Sequence, residues 1–194
     1  MKLYYCPGAC SLAGHIALHE AGMPFESESV DLKTKQTATG TDFNSVTVKG
    51  YVPALQLDDG QLVTENIAVL DYLASLYPQF AFDGPLARTR LLEQLAYIST
   101  EIHKSFKPFW HDSHEDQKAT ASAYITRRLQ YLADTIKGDF LRGDQPGVTD
   151  FYLFVTLLWA KRFGVSVPAP LDAVYERLTA RPAVQATLKA EGLA

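Results

Sequence analysis

The sequence predicts a small α/β unit followed by an all-α bundle. Three observations carry that expectation. The first 80 residues alternate short strand-like runs with helical periodicity. Pro78, Gly84 and Pro85 punctuate the chain directly after them. Beyond that point apolar residues recur every three or four positions, and no strand pattern is visible. The implied boundaries are residues 1–78 for the α/β unit, 79–86 for a linker and 87–194 for the helical unit.

Residues 2–5 are short, aromatic and stopped by Pro7-Gly8, the pattern of a strand running into a turn. Residues 11–21 place Leu12, Ile16 and Ala17 at helical spacing, and Gly22 and Pro24 stop the helix. Residues 25–32 read as a second strand, diluted by Glu26, Glu28 and Asp31. Residues 53–57 and 61–63 flank Asp58-Asp59-Gly60, a hairpin signal because glycine tolerates the positive φ of a tight turn. Thr64 is expected to cap a helix with Ile67, Leu70, Leu73 and Tyr77 on one face. The order is β-α-β, a loop or short helix, then β-β-α. In the second unit Leu92, Leu95, Ile98, Ile102, Phe106 and Phe109 form one apolar stripe, and Ile125, Leu129, Leu132 and Ile136 a second. Phe151, Val155, Leu158 and Trp159 form a third, while Val174, Leu178, Val184 and Leu188 suggest two short helices around Pro182.

At roughly 150 residues per domain, 194 residues allow one large domain or two small ones. With 47% hydrophobic and 21% charged residues, disorder, collagen and coiled coil are disfavoured. The formal net charge of −4 argues against nucleic acid as a partner, which would need a basic face to displace counterions. Charge is uneven: residues 1–80 carry 4 Lys+Arg against 9 Asp+Glu, and residues 81–194 carry 14 against 13, which fits two units with different surfaces. Two cysteines make no disulfide scaffold. No signal peptide is read in the first residues, and the apolar stretch 151–160 is far short of the roughly 20 residues that span a bilayer. The expectation is a soluble cytoplasmic protein without a membrane partner.

Cys10 follows a strand and a Pro-Gly turn at the point where a helix begins. Helix-terminal N–H groups lack intrahelical partners and carry partial positive charge, so a thiolate there is favoured and its pKa is expected to fall below about 8.5. Ser11 adds a hydroxyl beside it. The competing reading is a small buried hydrophobe, the usual fate of a lone cysteine. Cys6-Pro7-Gly8-Ala9-Cys10 is not the CxxC of a dithiol oxidoreductase, and with His15 the two cysteines fit no zinc spacing, so no metal is expected. Val52-Pro53 opens a strand; a cis bond there would leave the Val52 backbone free to pair with an extended ligand, whereas an edge-strand proline is the commoner explanation. Glu65 and Asn66 fall in the first turn of a helix, where N–H groups suit a carboxylate and the Glu65 side chain an ammonium; simple dipole complementation by Glu65 also accounts for it.

Tyr4-Tyr5-Cys6-Pro7-Gly8-Ala9-Cys10-Ser11-Leu12, Lys49-Gly50-Tyr51-Val52-Pro53-Ala54-Leu55 and Leu62-Val63-Thr64-Glu65-Asn66-Ile67-Ala68 together resemble the N-terminal half of glutathione transferases, closest to the bacterial beta class. Glu101-Ile102-His103-Lys104, Asp150 with Tyr152-Leu153-Phe154, and Arg181-Pro182-Ala183-Val184 extend the resemblance over nearly the whole chain. It implies a thioredoxin-like glutathione-binding domain followed by a helical domain with a hydrophobic co-substrate site. It further implies that Cys10 faces the glutathione sulfur and can form a mixed disulfide with it, with Ser11 a nearby donor. Val52, before a cis Pro53, would pair with the cysteinyl backbone; Glu65 and Asn66 would hold the γ-glutamyl end, and Lys35 the glycine carboxylate. His103 and Lys104 would project toward the sulfur, and Thr100 and Glu101 would touch glutathione bound in the other subunit of a homodimer. Asn66 stands where the family often has Ser or Gly, Thr47-Val48 where it has Asn-Pro, Gly147 where it has a Ser/Thr cap, and Ala96 where relatives can carry an Asn.

The chemistry implied is conjugation of glutathione to a small hydrophobic electrophile, with helix-terminal N–H groups, Ser11 and a positively polarised His103 favouring the thiolate. Among the aromatic residues, Phe106 and Trp110 are expected to line the apolar pocket. His15, His19, His111 and His114 are read as surface or satisfied helix residues. The alternatives are a glutathione-dependent thiol–disulfide or peroxide-reducing enzyme using Cys10, and a non-catalytic carrier of hydrophobic ligands.

Overall fold

The computed structural model describes residues 1–80, 82–111 and 113–194. Strand β1 (Lys2–Tyr5) leads through helix α1 (Leu12–Ala21) into β2 (Glu26–Asp31), which lies parallel to β1 with Leu3 opposite Ser27. A two-residue strand, β3 (Gln36–Thr37), covers the outer edge of β2. Strand β4 (Ala54–Gln56) returns antiparallel to β1, and β5 (Leu62–Thr64) closes the expected hairpin, giving the order β3-β2-β1-β4-β5. Gly60 in that hairpin has φ +86°, the conformation its position called for. Successive residues of β1 point to opposite faces, so Leu3 and Tyr5 join the main core while Tyr4 joins a smaller one with Val30, Phe43, Val52 and Ala54.

Helix α2 (Asn66–Leu76) follows β5, but Thr64 does not cap it: Thr64 ends the strand, and the residue before the helix is Glu65, with φ +70°. A 3-10 turn, Pro78–Phe80, runs across the expected start of the linker at residue 79, and its Phe80 is buried against Phe151 with ring centroids 5.6 Å apart; residue 81 lies outside the described residues.

The first stripe of the helical unit is not one continuous helix. Helix α3 (Ala87–Tyr97) passes into a π-helical segment (Ile98–Ile102), a 3-10 turn (His103–Phe106) and a short α4 (Lys107–Trp110). Its buried residues are Leu91, Leu95, Ile98, Ile102 and Phe106, so Leu91 takes the place expected for Leu92. Helices α5 (Glu115–Thr135), α6 (Val148–Phe163), α7 (Ala169–Thr179) and α8 (Pro182–Ala190) follow. Helix α6 is the pillar: every residue from Val148 to Leu157 is buried, Leu158 is only partly so, and α1, α2, α3 and α7 pack around it. An apolar helix surrounded on all sides is a core element rather than an amphipathic one.

Gly147 precedes α6. A Cβ there would lie 2.7 Å from the Phe80 carbonyl oxygen and 2.8 Å from Arg142 Cδ, which explains why no Ser or Thr stands at this cap. The cap function passes to Asp150, whose carboxylate accepts the N–H of Gly147 at 2.9 Å and of Leu141 at 2.7 Å. Complete burial pushes the Asp150 carboxyl up to about 6, against the opposing effect of those two bonds.

Candidate active site

A cavity of about 500 Å³ opens between the two halves of the chain. The turn 7–10, Leu32 and Val52 form one wall, and His103, Phe109, Trp110, Trp159, Arg162 and Phe163 the other. The turn is held from the helical half. Trp159 donates its indole N–H to the Gly8 carbonyl at 2.8 Å, and Glu191 accepts the Gly8 N–H at 2.9 Å. The other Glu191 oxygen lies 2.8 Å from Nδ1 of the fully buried His15, so the backbone before Cys10 is fixed at both polar groups.

Cys10 is partly exposed to the cavity, with its thiol donating to the Val52 carbonyl at 3.6 Å. Burial pushes this thiol up to about 12. Its own N–H, the N–H of Ser11 and the positive charge of Lys104 act in the other direction without reversing the shift. The expected low-pKa thiolate is therefore corrected: Cys10 precedes α1 by two residues, so the helix-end field is present, but desolvation of the sulfur outweighs it. Ser11 is also corrected as a side-chain donor. It is fully buried, and its hydroxyl accepts the Cys6 N–H at 3.2 Å and donates to the Cys6 carbonyl at 3.4 Å, inside the fold.

His103 lines the cavity edge-on to Trp110 and Trp159, with Nδ1 2.6 Å from the hydroxyl of Tyr152. Burial, and then the charge of Lys104, lower its pKa to about 4, so the ring is neutral rather than positively polarised as expected. Lys104 itself is exposed on the rim of a separate cavity of about 680 Å³ that runs along α4 and α5.

The Val52–Pro53 bond is cis. Among the described residues the Val52 N–H has no hydrogen-bond partner. The Lys35 ammonium donates to the Gly50 carbonyl at 2.7 Å and so braces the segment leading to Val52. Glu65 holds a φ that costs a non-glycine residue about 1–3 kcal/mol, strain of the kind that persists where a side chain must be aimed. Its Oε1 accepts the Lys49 ammonium at 2.5 Å and the Tyr51 hydroxyl at 2.6 Å, and these two bonds hold its carboxyl below the usual range. Asn66 is buried, and its side-chain amide has no hydrogen-bond partner among the described residues.

Three expectations about the helical wall separate. Thr100 and Glu101 do not reach the Cys10 cavity; they line another groove with Tyr97, Arg128 and Tyr131, where Glu101 accepts Tyr124 at 2.5 Å and Arg128 at 3.0 Å. Phe106 is fully enclosed and lines no part of the pocket. Trp110 does line it, and Phe109, Trp159 and Phe163 do the work expected of Phe106. Phe106 continues the buried stripe of Leu95, Ile98 and Ile102, which is the core placement usual for an aromatic residue at helical spacing, while Phe109 borders the cavity. Trp159 was legible only as core, because its apolar spacing says nothing of its indole N–H; Tyr152 carried no local signal of its link to His103.

A thioredoxin-like mixed sheet, with a cis proline and a cysteine at one cleft and a helical domain forming the other wall, is the architecture of glutathione S-transferases, and the chain belongs to that family. The N-terminal-domain model of the glutathione S-transferases matches residues 7–76 and the C-terminal-domain model residues 97–183. Within the family the chain is of the bacterial beta class. It is 42% identical to glutathione S-transferase GstA of Escherichia coli O157:H7 over 200 residues, covering 100% of each chain. A beta-class enzyme from Sphingomonas chungbukensis superposes with a TM-score of 0.90 at 41% identity, covering 100% of both chains. A sphingomonad glutathione S-transferase solved in complex with glutathione superposes with a TM-score of 0.92 at 43% identity, also covering 100% of both.

Proposed function

We propose that this transferase conjugates reduced glutathione to small hydrophobic electrophiles in the Cys10 cavity, and that Cys10 can form a mixed disulfide with glutathione. One observation carries the reading: a single cleft sets a backbone wall at Val52 against an aromatic wall of Phe109, Trp110, Trp159 and Phe163, with one thiol between them. On this reading Val52 pairs with the cysteinyl backbone of glutathione, in the way an extended peptide adds to a free edge. Glu65 and the start of α2 hold the γ-glutamyl end, Lys35 the glycine carboxylate, and Asn66 offers its backbone N–H. The Lys49 ammonium already occupies Glu65, so the substrate ammonium enters by exchange. Thr100 and Glu101, turned away from the cavity of their own chain, serve the site of a second copy in a homodimer. No metal takes part in this reading, and the expected compartment is the reducing cytoplasm.

The reacting sulfur is that of glutathione. Its thiol proton passes to solvent, and the thiolate forms a bond to the electrophilic carbon as the leaving group departs with its electron pair. The neutral His103, the N–H groups before α1 and the nearby Lys104 charge favour that thiolate, while the aromatic wall holds the electrophile in reach. In the redox branch the Cys10 thiolate attacks oxidised glutathione, forming a Cys10–glutathione disulfide and releasing one reduced glutathione. A thiol whose pKa lies near 12 does this slowly at neutral pH, which weighs against disulfide exchange as the principal activity.

The native protein incubated with oxidised glutathione should gain about 305 Da on Cys10, and a Cys10→Ser variant should not. In parallel, an aryl halide and reduced glutathione should yield conjugate with both proteins. Unmodified Cys10 under native conditions removes the mixed disulfide; absence of conjugate across a panel of electrophiles removes the transferase reading in favour of a carrier.

A further inference from the structure

We propose that Tyr152 is a positioning residue that holds His103 as the tautomer protonated on Nε2, so that an uncharged ring presents an N–H donor to the cavity. Tyr152 projects from the central helix α6 and is 1% exposed. A buried hydroxyl must give its proton to an acceptor, since leaving it unmade costs about 1–3 kcal/mol. Among the described residues the hydrogen-bonding partner of the Tyr152 hydroxyl is Nδ1 of His103, at 2.6 Å. The Asn66 amide oxygen, also buried, accepts nothing. The phenol is therefore the donor and Nδ1 the acceptor. A neutral imidazole carries one proton, so it sits on Nε2. That nitrogen has no hydrogen-bond partner among the described residues and is not among the buried, unpartnered polar atoms, while its ring lines the cavity.

The surroundings keep both groups in these states. Burial raises the Tyr152 phenol well above its ordinary value, so it keeps its proton and remains a donor. His103 is packed edge-on against Tyr152, Trp110 and Trp159, which fixes the plane of the ring as well as its proton. A fixed N–H costs no reorganisation when charge develops on a nearby sulfur, whereas a ring free to exchange tautomers does. The kinetic consequence rests on the transferase reading; the tautomer does not.

The test is the imidazole nitrogen spectrum of the protein labelled with nitrogen-15 histidine, with His103 assigned by its loss in His103→Asn. At neutral pH the native His103 should show a proton on Nε2 and none on Nδ1, and Tyr152→Phe, which keeps the ring and loses the hydroxyl, should show a mixture. With reduced glutathione and an aryl halide, kcat of Tyr152→Phe should fall about tenfold while KM for glutathione stays within about twofold. A proton on Nδ1 in the native protein, an unchanged tautomer in the variant, or a loss confined to KM overturns the proposal. The native spectrum decides even if the variant folds poorly. Should the protein form no conjugate at all, an Nε2 proton that becomes mixed in Tyr152→Phe would leave the tautomer lock standing and the transferase reading fallen.

Discussion

The two ends of the cleft treat charge in opposite ways. At the α2 end Glu65 is half exposed and ionised, and it is already matched by Lys49 and Tyr51. At the sulfur end Cys10, His103 and Tyr152 are each driven by burial toward their uncharged forms. Water screens the first set, so exchanging one ammonium for another there is inexpensive. Burial leaves the second set drier on its protein side, so a charge that arrives with a substrate is felt more strongly by the dipoles aimed at it. On the proposed reading, recognition and chemistry are thus separated by dielectric as well as by distance along the chain.

The largest expected effect tests the dry end directly. A thiol at about 12 holds about a thousandfold less thiolate at pH 7 than one at the ordinary value near 9. Without added glutathione, iodoacetamide should label Cys10 at least about a hundredfold more slowly than an exposed thiol, as followed by peptide mapping to keep Cys6 apart. Rapid labelling at neutral pH would erase the contrast between the two ends. The dry end also depends on the pillar that carries Tyr152 and Trp159. Asp150→Ala strands the buried N–H groups of Gly147 and Leu141 and should cost about 3 kcal/mol in urea denaturation. Because the folded Asp150 carboxyl is raised to about 6, the folded state binds its proton more tightly than the unfolded chain does. The gap between native protein and variant should be widest below about pH 4 and narrow as pH rises through 6.

What could be read from residues alone follows from which signals are local. Glycine announces its own conformation, so Gly60 and Gly22 marked a hairpin and a helix end that the structure reproduces, the latter with φ +67°. Glu65 has an equally unusual φ of +70° and gives no such sign, because the strain is imposed by what surrounds it. The α/β-then-α order was visible in periodicity. The π-helical segment was not, since Leu91, Leu95, Ile98, Ile102 and Phe106 keep an ordinary average spacing through it. Phe106 simply continues that stripe into the core, and Phe109 borders the cavity. The structure brings Cys10 and His103 to one cavity, as the resemblance implied, but their protonation was not legible. The helix-end field is a sequence-local effect, whereas the desolvation that overrides it depends on how the folded chain packs around the sulfur.

The wet end should respond in KM rather than kcat. Glu65→Gln keeps the shape and removes the charge, so KM for glutathione should rise about tenfold, with less dependence on salt than the native enzyme shows, and kcat should stay within about twofold.

The smallest effect has the opposite sign. On the proposed reading Lys49 competes with the substrate ammonium for one Glu65 carboxylate oxygen, which Tyr51 also holds from its hydroxyl. Removing the competitor frees the site without touching the sulfur end. Lys49→Met retains most of the aliphatic stem and should lower KM for glutathione about two- to threefold at low salt, with the advantage fading as added salt weakens the native pair. An unchanged or higher KM would mean that Lys49 contributes to holding glutathione rather than reserving its place, and the rim would then be a built cradle instead of an exchangeable ion pair.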